Sequence, residues 1–105
     1  MSSKTILIQG TDVPADNSKA TVSYKGTMEI DGNTVVFDES REDQPFTFQI
    51  GKGQVIQCWD EQVKTMKLGE KAVIHCPSDT AYGEREIGNI PAHTDLTFEV
   101  ERLPE

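Results

Sequence analysis

The sequence lacks the features that mark several common protein classes. It has only two cysteines, Cys58 and Cys76, and no C-x-x-C pair, which is too few for a disulfide framework. We therefore expect two free, buried thiols in a reducing compartment. The N-terminal apolar run Ile6–Ile8 is far shorter than a secretory signal or the ~20 residues of a membrane span. We expect a cytoplasmic protein that does not bind membranes.

Positive charge is scarce as well. The chain has 10 Lys and Arg against 18 Asp and Glu, which gives a net charge of −8 and a pI of about 4.6. The basic residues are scattered and form no cluster. Such a balance repels phosphate backbones and anionic lipid, so we expect no nucleic-acid partner.

Motifs for nucleophilic, metal or phosphate chemistry are also missing. His75 and His93 have no Cys or second His at ligand spacing, so we expect no metal site and no cofactor. Ser78 does not stand in a G-x-S-x-G elbow. The Gly-x-Gly at 51–53 lacks the further residues of a phosphate-binding loop and reads as a turn.

The apolar residues that are present alternate as they do in strands. In 19–30, Ala20, Val22 and Tyr24 share one face and polar residues take the other, which indicates a half-buried strand. Asp31-Gly32 then predicts a hairpin turn. Further strand signals lie at 5–9, 33–38, 46–50, 71–76 and 94–103.

One segment has helical spacing instead. Ile56, Trp59, Val63 and Met66 form an apolar stripe, and Gly69 stands where a helix would stop, so we expect about three turns. Several strands with one amphipathic helix predict an α+β fold, a helix packed on one antiparallel sheet. The length suits a single domain over 1–105. The non-periodic segment 77–93 is long for so small a domain, and such loops are usually functional.

The seven aromatic residues carry the remaining signal. On composition alone they are core residues, but their local sequences resemble the family of FKBP-type peptidyl-prolyl cis-trans isomerases over nearly the whole chain. The matching stretches are VSYKG (22–26), FDES (37–40), PFTF (45–48), GKGQVI (51–56), WDE (59–61), Met66, GEKA (69–72), AYG (81–83), IP (90–91) and LTFEV (96–100).

The resemblance implies a five- to six-stranded antiparallel sheet wrapped on one short helix, with a proline-binding pocket between them. It assigns catalytic roles to six residues and ligand binding to five more. The catalytic set is Tyr24, Phe37, Asp38, Trp59, Tyr82 and Phe98. The ligand-binding set is Phe46, Val55, Ile56, Ile87 and Ile90.

In this resemblance Trp59 forms the pocket floor and Tyr82 offers its hydroxyl to the substrate carbonyl. Asp38 is either a carboxylate that caps local turn N–H groups or an orienting acceptor at the rim, and both roles are compatible. Phe48 is expected in the core. The expected partners are proline-containing peptides and proteins and the macrolides rapamycin and tacrolimus.

The expected function is folding assistance by a monomeric isomerase, or immunophilin. The alternative is a non-catalytic module that grips proline-like turns of a partner. Cys58, Gln62 and Asn89 depart from the family's usual residues. Acidic residues in the long loop, Glu84 and Glu86, predict a shift in preference toward basic or neutral peptides.

Overall fold

The chain forms one antiparallel sheet and one short helix, which a computed structural model describes for residues 1–104. The predicted α+β class is confirmed. A 3-10 turn at Ser78–Thr80 opens the long loop before the last strand. The elements in chain order are β1 (Ser3–Ile8), β2 (Lys19–Ile30), β3 (Asn33–Glu39), β4 (Phe46–Gln49), α1 (Gln57–Val63), β5 (Lys71–Cys76) and β6 (Leu96–Arg102).

The sheet has six strands, and β2 is its longest. The order is β1-β5-β6-β2-β3, and β4 pairs with β2 beside that path. Lys19–Val22 of β2 pair with β4, whereas Lys25–Ile30 pair with β3. The predicted hairpin forms at Asp31-Gly32, where both residues have positive φ. The long β2 therefore brings residues from β3, β4 and β6 to one region.

The inward face of the sheet follows the predicted alternation. In β6, Leu96, Phe98 and Val100 are at most 4% exposed, and β5 contributes Ala72 and Ile74 at 0%. Because side chains alternate along a strand, this face is apolar while the intervening residues reach solvent. Burial of these side chains against the helix contributes roughly 25 cal/mol per Å² of apolar surface.

The helix is shorter than predicted. It covers Gln57–Val63, about two turns rather than three, and it ends at Lys64. The stripe continues because Met66 donates its N–H to the Val63 carbonyl in an i→i−3 turn, which keeps the Met66 side chain buried. Apolar spacing alone does not separate a third helical turn from a tight turn that buries the same residue.

The prediction of two free thiols is wrong, because Cys58 and Cys76 form a disulfide. Cys58 lies on the inward face of α1 and Cys76 on the inward face of β5, with Cα atoms 5.6 Å apart. That separation lies within the range of protein disulfides. Sequence spacing hid the pair because it comes together only through packing of the helix on the sheet.

No helix within residues 1–104 has the length and apolar character needed to cross a bilayer.

Phe48 is 2% exposed, in the core, as predicted. Trp59 and Phe98 are each 4% exposed, yet both border an open cavity. The core is therefore open at one end.

Candidate active site

An open cavity of about 270 Å³ lies where the core reaches the surface. Its walls come from four strands, from α1 with the residues before it, and from the long loop. This size lies just below the ~300–1,000 Å³ of pockets for drug-sized ligands, so it suits a single small ring. The lining residues are Tyr24, Phe37, Asp38, Phe46, Gln54, Val55, Ile56, Trp59, Tyr82 and Phe98.

The cavity gathers most of the predicted site residues. All six predicted catalytic residues line it, and so do three of the predicted ligand-binding residues, Phe46, Val55 and Ile56. Ile87 and Ile90 lie outside it and line an adjoining cavity instead. Gln54 is a wall residue that the sequence argument missed.

Aromatic rings form the floor and walls through edge-to-face packing. The Trp59 ring centroid lies 5.0 Å from that of Tyr24 and 5.3 Å from that of Phe98, with interplanar angles of 81° and 87°. Phe46 stands 6.1 Å from Trp59 at 73°. Such pairs are favourable because ring edges meet ring faces. The floor is thus an apolar surface of rings packed against one another.

Gly26 makes room for two of these rings. A Cβ at Gly26 would stand 2.6 Å from Phe37 Cζ and 2.8 Å from Phe98 Cε1, which is too close for carbon atoms. The bare backbone of β2 therefore lets Phe37 and Phe98 pack together with ring centroids 5.5 Å apart.

Polar groups are few and stand at the rim. The Tyr24 hydroxyl donates to Asp38 Oδ2 at 2.9 Å. Burial, then this bond and the negative charge of Asp38, raise the pKa of Tyr24 to about 12. No turn N–H in the described chain donates to Asp38, so the orienting role fits this carboxylate better than the capping role.

Two donors at the rim remain available for a ligand. The Tyr82 hydroxyl and the Ile56 backbone N–H form no hydrogen bond with any group of residues 1–104. Ile56 precedes α1, and its carbonyl accepts the Trp59 N–H at 3.0 Å. The start of the helix therefore fixes the Ile56 N–H relative to the indole floor.

Asp60 supports one wall, although the sequence argument gave it no role. Its two carboxylate oxygens accept the backbone N–H groups of Gly51 at 2.9 Å and Gly53 at 3.2 Å. Both glycines have positive φ, which most other residues tolerate poorly. The Gly-x-Gly pair was the available signal, since such a turn leaves N–H groups that need an acceptor. Because Asp60 directly follows Trp59 in α1, these two bonds tie the turn to the helix that carries the indole floor.

The adjoining cavity, of about 330 Å³, shares three residues with the first: Phe37, Asp38 and Tyr82. Its outer wall is a tight hairpin of the long loop. Ile87 and Ile90 exchange backbone hydrogen bonds of 3.0 and 2.8 Å, with Gly88 at φ 54°. These bonds hold Ile87 and Ile90 in place beside Tyr82.

Acid, base and metal chemistry have no obvious centre here. Among the described residues, no group of three or more His, Cys, Asp or Glu side chains is placed to hold a metal ion. Asp38 is engaged by Tyr24, and none of the described residues that line either cavity is a histidine. The arrangement offers shape, apolar surface and two free donors to a ligand.

Comparison with known proteins identifies the family. Residues 10–103 match the family described as FKBP-type peptidyl-prolyl cis-trans isomerase. The chain is 46% identical over 96 residues to peptidyl-prolyl cis-trans isomerase Fkbp12 of Drosophila melanogaster, covering 90% of this chain and 86% of that protein. It is 44% identical over 102 residues to FK506-binding protein 1 of Dictyostelium discoideum, covering 94% and 92%. The chain therefore belongs to the FKBP-type peptidyl-prolyl cis-trans isomerases.

Proposed function

We propose that the chain carries out its family's reaction, cis–trans rotation of Xaa-Pro bonds, in the aromatic cavity floored by Trp59. Residues 1–105 would form one isomerase domain, and the biological role would be assistance to protein folding. The observation that carries this proposal is the small apolar cavity itself. Its floor and walls are aromatic rings packed edge to face, and two hydrogen-bond donors without partners stand at its rim.

Each predicted residue has a role that its position supports. The proline ring would lie on Trp59, between Tyr24, Phe46 and Phe98. The Tyr82 hydroxyl would donate to the carbonyl of the residue before proline. The Ile56 N–H would donate to a carbonyl on the opposite side.

The remaining residues shape the entrance. Val55 would form its edge, Phe37 would pack beside the bond that rotates, and Ile87 and Ile90 would close the side of the long loop. Asp38 would orient Tyr24, whose hydroxyl it accepts, and would face the substrate at the rim. All of these positions border one of the two adjoining cavities.

The chemistry requires no proton transfer and no nucleophile. Resonance gives the amide C–N bond a rotation barrier of about 18–20 kcal/mol, and Xaa-Pro bonds exchange over roughly tens to hundreds of seconds. The planar amide carries extra negative charge on oxygen, and twisting removes that conjugation. An apolar cavity walled by buried rings therefore favours the twisted form relative to water. An acceleration of about 10⁵-fold needs only about 7 kcal/mol.

The same cavity would bind macrolides such as rapamycin and tacrolimus. Relatives named FK506-binding protein 1 share 44% identity with this chain over most of its length. At about 270 Å³ the cavity would hold only the proline-like part of such a ligand. The rest would lie across the adjoining cavity and the rim.

Oligomeric state and location stay predictions. We expect a monomer in the cytoplasm, which size-exclusion chromatography and localisation in cells will test. The disulfide bears on location, since such bonds persist mainly in oxidising compartments. The redox state of the two cysteines in cells is therefore a direct measurement to make.

A protease-coupled assay on an Ala-Leu-Pro-Phe peptide tests the function. We expect acceleration that rapamycin blocks, and a loss of about twofold to tenfold in kcat/KM for Tyr82→Phe, the size of one hydrogen bond. Asp79→Asn, at an exposed position outside both cavities, is the control. Binding of rapamycin without acceleration would instead support the non-catalytic module.

A further inference from the structure

We propose that the site prefers a basic residue, arginine or lysine, over an acidic one immediately before proline, and that Asp38 determines this preference. The inference rests on the proposed function, because it assigns a substrate class to the same pocket. It differs from the prediction about Glu84 and Glu86, since it places recognition at the boundary of the two cavities rather than along the loop.

The layout of the cavities determines which substrate residue meets Asp38. The two cavities share Phe37, Asp38 and Tyr82. In the proposed complex the Tyr82 hydroxyl binds the carbonyl of the residue before proline, so this residue lies at the shared boundary. With proline in the first cavity, the side chain before it is the one that reaches the second.

Asp38 has an uncompensated charge at that boundary. Its Oδ2 accepts the Tyr24 hydroxyl, which is neutral, and Oδ1 has no partner within residues 1–104. The ion pairs within residues 1–104 are Lys4–Glu70 and Lys71–Glu99, so no Lys or Arg of these residues forms an ion pair with Asp38. A substrate cation in the second cavity would be the counter-charge.

The walls of the second cavity suit a long side chain with a charged end. Phe37, Ile87 and Ile90 offer apolar surface to a methylene stem, and the Asn89 amide stands at the exposed edge. Arginine and lysine bury such stems while their charged groups reach polar surroundings. Within residues 1–104, no basic residue lines this cavity.

The surrounding loop charges act in the same direction. The segment 84–86 is Glu-Arg-Glu, and the segment 38–43 has four acidic residues and one arginine, Arg41. All the charged residues of these two segments are exposed, so salt screens their charges strongly. They assist the encounter with a basic peptide more than they discriminate within the complex.

Matched peptides that differ only before proline test the proposal. The isomerisation rates of Arg-Pro, Leu-Pro and Glu-Pro peptides are measured by NMR exchange, which needs no protease with its own charge preference. We expect kcat/KM for Arg-Pro to exceed that for Glu-Pro by about fivefold at low salt, the size of one solvent-accessible ion pair. The ratio should shrink as salt is raised.

Two variants that each remove one negative charge show whether Asp38 is the residue responsible for the preference. Asp38→Asn should bring the Arg-to-Glu ratio close to one, whatever it does to the absolute rate. Asp31→Asn is the matched control and should keep the wild-type ratio. Asp31 lies at the far turn of the β2–β3 hairpin, seven residues or roughly 23 Å along the strand from Tyr24, and lines neither cavity.

Each further outcome counts against a defined part of the proposal. Acceleration of Leu-Pro with equal Arg-Pro and Glu-Pro rates would overturn the basic preference and leave the isomerase function standing. No acceleration of any peptide would remove the proposed function itself. A preference that survives Asp38→Asn but disappears in Glu84→Gln/Glu86→Gln would overturn the assignment to Asp38.

Discussion

Gly26 and Asp38 show how single residues determine what the cavity accepts. Gly26 contributes nothing but space, and that space is where Phe37 and Phe98 meet. Asp38 contributes a charge and a hydrogen bond to Tyr24. Gly26 therefore acts through the rings that pack against it, whereas Asp38 acts through its charge and its hydrogen bond.

Replacing Gly26 with alanine should displace the Phe37 ring. The added Cβ would lie 2.6 Å from Phe37 Cζ, so we expect a loss of about 1–3 kcal/mol in unfolding free energy together with a lower kcat/KM. Denaturant unfolding and the peptide assay measure the two effects. Adding Phe37→Leu to Gly26→Ala should recover part of the stability, whereas additive losses would contradict the steric explanation.

The raised pKa of Tyr24 predicts a pH dependence of stability. Folding raises this pKa from 10.0 to about 12, so the folded chain holds the phenolic proton more tightly than the unfolded chain. The stabilisation is fully present below pH ~10 and is lost as pH rises through about 12. The stability difference between wild type and Tyr24→Phe should therefore be flat below pH ~10 and decline above it.

Absorbance titration provides the check on that assignment. The difference between wild-type and Tyr24→Phe titrations should contain one phenol with a pKa of about 12. In Asp38→Asn that value should fall, though not to 10.0, because burial is the largest cause and the carboxylate the next. A Tyr24 component that already ionises near pH 10 would rule out the folded-state environment described above.

Among the secondary-structure elements, α1 does the most for the site despite its seven residues. It presents Trp59 to the cavity, and Asp60 beside it holds the Gly51–Gly53 turn. That turn leads into Gln54, Val55 and Ile56, which form the wall next to the helix. One short element thus fixes both the floor and an adjacent wall.

Asp60→Asn should loosen that wall. An amide has one acceptor oxygen, so one of the two glycine N–H bonds is lost, at a cost of about 1.5–3 kcal/mol for a bond to a charged group. Since Asp60 is only half-buried, we expect the lower end. KM should rise more than kcat falls, because the turn positions the wall rather than the rotating bond. Asp79→Asn, which should change neither parameter, is the control.

Elements with a regular period were predictable, and irregular ones were not. The alternation in 19–30 and 94–103 corresponds to β2 and β6, the centre of the sheet. The third turn predicted for the helix failed because Met66 is buried by a tight turn after Lys64. Burial patterns follow the period of a segment, but the hydrogen bonds that end a helix depend on its neighbours.

Across the whole molecule, the disulfide links α1 to β5. Cys58 directly precedes Trp59, and Cys76 leads into the loop that contains Tyr82. Its bridge spans 18 residues of sequence, and a loop of that length corresponds to about 3 kcal/mol of stabilisation, chiefly through the unfolded state. The link therefore constrains the supports of two proposed site residues as well as the fold.

Reducing the disulfide should lower the unfolding free energy by about 3 kcal/mol. Denaturant unfolding with and without a dithiol reductant measures the change. Cys58→Ala/Cys76→Ala should be destabilised to a similar or greater degree and should not respond to reductant. A wild-type chain that also fails to respond, and whose mass shows two free thiols under native conditions, would contradict the bond.

The proposed site was more predictable than the contacts that hold it. Resemblance to a family supplied Trp59, Tyr82 and the surrounding rings, and the structure brings them around one cavity. Asp60 and the Cys58–Cys76 bond were missed because each depends on a contact between distant parts of the chain. Residues that touch a ligand leave recognisable motifs, whereas residues that support them leave little local pattern.

Trp59 and Phe98 belong both to the core and to the cavity floor. A ligand bound to these two rings would bind only the folded chain, because unfolding separates them. Ligand binding should therefore raise the melting temperature. At a free concentration of one hundred times Kd the gain is about 2.7 kcal/mol. Conversely, we expect substitutions that fill the cavity to raise the melting temperature and to lower kcat/KM, because the substrate could no longer enter.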